Sequence, residues 1–209
     1  QAAMAVLSIL AAKFTAIGLS KEFAGYYNSA YGYLQTFAIL ADFGLYAVSV
    51  REMSRPGASE QKVFGALLVL RSVILVLSLG SAIVFVWLLP AWQGTPFPMG
   101  VTIAALVPFF TLLAGMLRTV FQVHYQLKFV FVAEVLQRVL TTAGMAVFII
   151  MGVRLSTDVR VYEAFLWIGG AGAFLLFLIS LFYAARFIRI RPCFDAALLK
   201  RMFTLSAPF

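Results

Sequence analysis

Six apolar runs, each near the roughly 20 residues that cross a bilayer as a helix, follow one another along this chain. Gln1 to Leu19 is apolar except for Ser8, Lys13 and Thr15. Ser20-Lys21-Glu22 connects it to Gly25–Arg55, a long run spotted with polar residues. Between Tyr26 and Val50 the second run carries one formal charge, Asp42. Asn28, Gln35, Asp42 and Ser49 recur at every seventh position, so a helix would place them on one slowly winding face beside Tyr31 and Tyr46. A polar stripe on a spanning helix belongs against other helices or a wet cavity, not against lipid. Arg51, Arg55, Lys62 and the breaker Pro56-Gly57 follow.

Val63 to Leu89 is interrupted by Arg71. Pro90, Trp92, Pro96 and Pro98 mark an uncharged turn, and Trp87 and Trp92 suit an interfacial belt. Phe97 to Val123 contains Pro108, which is expected to kink the helix and free a backbone carbonyl. Phe129 to Gly152 carries Glu134 and Arg138. Val161 to Tyr183 precedes the most basic stretch, with Arg186, Arg189 and Arg191. The pattern predicts an all-α polytopic membrane protein, with a six-helix transmembrane lobe over residues 1–194. Residues 195–209 read as an amphipathic lead-in to a seventh helix. Both ends fall in or near apolar runs and no leader peptide is evident, so the sequence reads as part of a longer transporter-like chain.

Composition strengthens the membrane reading. Charged residues make up 11% of the 209, against about 25% in soluble domains. Mean hydropathy is +0.99. The net charge of +8 is scattered between apolar runs, which suits headgroups and argues against nucleic-acid binding. The loops and flanks after the second, fourth and sixth runs hold eleven basic residues: Arg51, Arg55, Lys62, Arg71, Arg118, Lys128, Arg186, Arg189, Arg191, Lys200 and Arg201. Those after the first, third and fifth hold three, Lys21, Arg154 and Arg160. The asymmetry predicts that the even loops and the N-terminus face the cytoplasm.

Charged residues inside the runs are the candidates for function. Lys13 and Arg118 are candidate anion ligands, because a guanidinium fork can give a phosphate two hydrogen bonds at once. Arg118 and Arg71 also stand where a side chain can snorkel to headgroups, the default reading for Arg71. Glu134 and Arg138, four residues apart, either neutralise each other on one helix face or set Arg138 into a cavity with Glu134 tuning it. Asp42 is either a hydrogen-bonded structural carboxylate or a coupling group. Asp42-Phe43-Gly44 matches a kinase triplet, but no glycine-rich loop or catalytic-loop motif accompanies it. His124 is the lone histidine and Cys193 the lone cysteine, so neither a histidine metal site nor an internal disulfide is expected. No nucleophile has partners in a suitable arrangement; no enzyme activity and no cofactor are expected.

The order Gly25-x-Tyr27, a polar-spotted span, Asp42-Phe43-Gly44-Leu45, then Arg51-Glu52 and Ser54-Arg55 resembles the second helix of the Wzx-like polysaccharide flippases of the MATE/MOP transporter superfamily. Gln122 to Leu140 is similar to that family's fourth loop and fifth helix, and Leu198 to Phe209 to its approach to a seventh helix. The family's first-loop R-x-x-G-P-x-x-x-G pattern is absent, since Ile17, Ser20 and Lys21 stand at those positions. The resemblance implies the N-terminal half of a transporter with two six-helix lobes around a cationic cavity, in the cytoplasmic membrane. It would move undecaprenyl-diphosphate-linked oligosaccharide outward for surface polysaccharide synthesis. The expected partners are that lipid-linked oligosaccharide, membrane lipids and a coupling ion, proton or sodium. Lys13, Arg118, Arg138, Asn28 and Gln35 are the expected substrate-binding residues, with Asp42 and Glu134 as coupling or structural charges. A drug or cation antiporter of the same superfamily would favour a carboxylate-dominated cavity. A non-transporting scaffold subunit would close its polar faces.

Overall fold

A computed structural model describes residues 2–42, 45–55 and 59–195, with the backbone alone at 2, 3, 40, 42, 45–47 and 49. The lead-in expected over 195–209 lies outside the described residues, Asp195 apart. The described chain is all-α: α1 Ala2–Gly18, α2 Lys21–Asp42, α3 Leu45–Met53, α4 Glu60–Leu88, α5 Phe97–Ala104, α6 Leu106–Val123, α7 Lys128–Ile150 and α8 Val159–Ala184. A single 3-10 turn, Pro90–Trp92, stands between α4 and α5.

Four apolar runs become helices long and apolar enough to cross a membrane: Glu60–Leu88, Phe97–Val123, Lys128–Ile150 and Val159–Ala184. Their outward faces remain greasy, with Leu77, Phe85 and Leu88 on α4, Ile150 on α7, and Trp167 and Phe182 on α8 exposed. So much exposed apolar surface is stable only against lipid. The chain is therefore a multi-pass membrane protein. The first run forms α1, apolar but shorter than those four. The second run is helical over Lys21–Asp42 (α2) and Leu45–Met53 (α3), with Phe43 and Gly44 outside the described residues.

Pro108 explains the division of the fourth run. It has no N–H to donate to Ala104, four residues earlier, and its ring crowds that carbonyl. The helix is interrupted at Ala105, between α5 and α6. Ala105 N–H still donates to Val101 O at 2.9 Å and Phe109 N–H to Ala105 O at 3.1 Å, so the two pieces continue in register.

α8 is the packing hub, touching α5, α6 and α7. Its small residues allow this, because close approach is what holds helices together in lipid. The Tyr31 hydroxyl lies 2.6 Å from where a Cβ on Gly169 would stand. Thr141 Oγ1 fills the corresponding space at Gly172. α2 is clipped to α4 by two hydroxyls. Tyr33 Oη donates to Ala82 O and Ser78 Oγ to Phe37 O, each at 2.8 Å.

The connections sort to opposite ends. At one end, Ser20 N–H donates to Ser156 O at 3.0 Å and Leu155 N–H to Ile17 O at 2.8 Å. Phe97 there packs against Trp92 with the rings tilted and their centroids 4.3 Å apart. At the other end His124 Nε2 is 3.7 Å from Glu60 Oε2, and the His124 ring is 5.3 Å from that of Phe187. Gly65 meets the backbone of Arg191 and Cys193. The second end collects Arg55, Lys62, Lys128, Arg186 and Arg189, so the basic excess is gathered on one side of the bundle.

Arg71 corrects the snorkelling expectation. It is 2% exposed and lies on the inner stripe of α4, with Phe64, Leu67, Leu75 and Leu79 at helical spacing. Its position on that stripe carries it into the bundle, away from headgroups. Glu52 on α3 is also buried, and Arg55 Nη1 lies 3.1 Å from its Oε1.

Candidate functional site

α1 and α2 share the short connection at Leu19–Ser20 and then pack on different neighbours, α1 on α7 and α2 on α4 and α5. Two adjoining hollows lie in this part of the molecule, and both touch Thr111 of α6. The first, about 300 Å³, lies among α6, α7, α8 and the start of α1. Arg118, Glu134, Gln137, Arg138 and Ser180 supply its polar lining. The second, about 260 Å³, lies between α2 and α6, and its polar lining is Tyr31, Gln35 and Thr111.

Helical periodicity puts Thr111, Gly115 and Arg118 on one face of α6, and Val130, Glu134, Gln137 and Arg138 on one face of α7. Packing then brings these faces together. Arg118 Nη1 lies 3.7 Å from Glu134 Oε1, an ion-pair distance beyond hydrogen-bond range. Arg138 Nη1 donates to Ser8 Oγ of α1 at 2.9 Å, and Ser8 Oγ donates onward to Met4 O at 2.8 Å. The self-neutralised Glu134–Arg138 pair is therefore not the pairing observed. The carboxylate turns to α6 and the guanidinium to α1, because α1 and α6 present partners on either side of α7. Two guanidiniums and one carboxylate line the hollow, leaving it net positive.

The remaining sequence candidates separate. Gln35 lines the second hollow and its side chain is exposed. Asn28 is exposed one heptad earlier on α2 and lines neither hollow. Lys13 is exposed on α1 beside Val6 and Ile9, while Thr15 and Leu7 turn to α7 through contacts with Met145 and Thr142. The side chains of Asp42 and Ser49 lie outside the described residues.

Sequence reasoning did not single out Ser8, Thr111, Gln137 or Ser180. Thr111 was findable, since it precedes Arg118 by seven residues on the same face. Ser8 was not, because its link to Arg138 spans 130 positions of chain.

The fold and groove define a class: an all-α, multi-pass membrane chain with a cationic hollow among its spanning helices. No protein-family model, curated protein or solved structure matches the chain.

Proposed function

We propose that this chain is one lobe of a flippase carrying undecaprenyl-diphosphate-linked oligosaccharide across the cytoplasmic membrane for surface polysaccharide synthesis. The observation that carries the reading is that Arg118 and Arg138 line one hollow within spanning helices, with Glu134 the single carboxylate in that lining. A diphosphate dehydrates at low cost only where fixed cations replace its water, and guanidiniums do this with bidentate geometry. The second-helix resemblance, Asp42 to Leu45 followed by Arg51-Glu52, points the same way. In this reading α1 and the α2–α3 stretch supply two further spans, making six. The basic end and the N-terminus face the cytoplasm. The lipid tail stays in the bilayer, and Glu134 competes with the diphosphate for Arg118, which suits a role in ion coupling. An antiporter for cations fits less well, because the hollow has more guanidinium than carboxylate.

The test is export. R118A/R138A in the full-length protein should abolish surface glycan in cells lacking the native gene and abolish translocation of a lipid-linked oligosaccharide in proteoliposomes. R138K should fall well below wild type, since lysine keeps the charge but loses the fork. Normal export by the double variant, at normal membrane levels, would overturn the proposal.

A further inference from the structure

The uncharged hollow beside the arginine pair has its own chemistry. Its polar groups are an amide (Gln35) and a hydroxyl (Thr111), beside the Tyr31 ring, whose own hydroxyl is turned to Gly169 of α8. The rest of its wall is apolar, including Pro108. Thr111 Oγ1 donates to Val107 O at 2.8 Å, so its lone pairs remain open to a donor from outside the helix. The Gln35 amide is exposed next to exposed Thr36, with Leu34, Ala38 and Ile39 beside it in the wall of the hollow. A primary amide facing hydrocarbon would leave several hydrogen-bonding positions unmet at a cost of kcal/mol, so that position calls for a polar neighbour. Thr111 belongs to both hollows. Arg118 follows it by seven residues, about 10 Å along the α6 axis. The groove thus offers a cation pair and, about 10 Å away, a neutral patch of hydroxyl, amide and aromatic groups.

We infer that the Tyr31–Gln35–Thr111 hollow holds an uncharged, hydroxyl-rich ring, the first sugar of the same ligand whose anionic group lies between Arg118 and Arg138. This rests on the flippase reading and adds to it a register. The anionic group sits toward the basic end. The sugar lies beside it toward mid-bundle, against α2 and the Pro108 bend. Sugars suit such a patch because their hydroxyls pair with amides and hydroxyls, while their C–H faces pack on aromatic and proline rings. Lack of charge here also matters, since a fixed cation in this hollow would draw the diphosphate out of register.

The experiment compares two probes on the full-length protein in lipid nanodiscs: farnesyl diphosphate, and the same lipid carrying one N-acetylglucosamine. Wild type should bind the sugar-bearing probe more tightly. Q35A should weaken that probe about tenfold, the scale of one or two lost hydrogen bonds, and leave farnesyl diphosphate within about twofold. T111V should act in the same direction and T111S should keep the preference. Gln35 is exposed, so Q35A should keep the wild-type unfolding temperature. R138A should weaken both probes. Equal wild-type affinity for the two probes, or a Q35A effect that is absent or equal on both, overturns the sugar assignment. If R138A and R118A weaken neither probe while Q35A remains selective, the diphosphate reading fails and the sugar contact stands.

Discussion

Glu134 should restrain anion binding, and removing its charge should strengthen it. Its carboxylate lies 3.7 Å from the Arg118 guanidinium. At that separation two unit charges attract by about 4.5 kcal/mol at an effective dielectric of 20 and by about 1 kcal/mol in water. The side chains are 50% and 37% exposed, so the aqueous end of that range applies, near 1 kcal/mol. A bound diphosphate must displace or share this pair. E134Q, nearly isosteric, should therefore tighten farnesyl diphosphate binding by about fivefold at low salt. The gain should shrink as ionic strength rises, because half-exposed charges are screened within about 10 Å at 0.1 M. R118Q alone should weaken binding, and E134Q should gain less in the R118Q background, since one partner of the pair is already gone. The assay is isothermal calorimetry on the protein in nanodiscs at two salt concentrations. A loss of affinity in E134Q would refute the reasoning and make Glu134 a group that holds Arg118 in place for the ligand.

Three further outcomes test the fold. Tyr162 is fully buried, its hydroxyl has no hydrogen-bond partner among the described residues, and its Cζ lies 2.6 Å from where a Cβ on Gly100 would stand. Y162F should raise stability by about 1 kcal/mol by removing an unpaired buried hydroxyl, whereas G100A should cost about 1–3 kcal/mol and cost less in the Y162F background; thermal unfolding in detergent reads all three. G65A should lower the unfolding temperature and speed maleimide labelling of half-buried Cys193, because its Cβ would run into the Arg191 carbonyl and push that segment off α4. On the proposed orientation, in a C193S background, R189C should react with an impermeant maleimide only from the cytoplasmic side and T157C only from the outside, since these exposed positions lie at opposite ends of the bundle.

The apolar runs announced α4, α7 and α8 within a few residues, because a helix in lipid must satisfy its own backbone and needs a fixed length of apolar chain. Pro108 announced the interruption, although its effect falls at Ala105. The Gly25–Arg55 run is helical on both sides of Phe43 and Gly44, which lie outside the described residues. A lone arginine near a span end suggests a headgroup anchor, but Arg71 shares an inward stripe with Leu67 and Leu75 at helical spacing.

What the sequence by itself determined is the class of the chain: helical, membrane-embedded, with its positive charge at one end. These follow from local quantities, namely run length, helical period and which loops carry arginine and lysine. What only the tertiary structure decided is which side chains meet. Glu134 and Arg138 are four residues apart, yet Glu134 lies against Arg118 from α6 and Arg138 against Ser8 from α1. Gln35 and Arg118 come to adjoining hollows through a threonine between them. Such partners are set by how helices stack, and the stacking depends on contacts as small as the space left by Gly169 for the Tyr31 hydroxyl. Periodicity assigns each residue a face of its own helix, but the helix that covers that face is chosen by packing across distant parts of the chain.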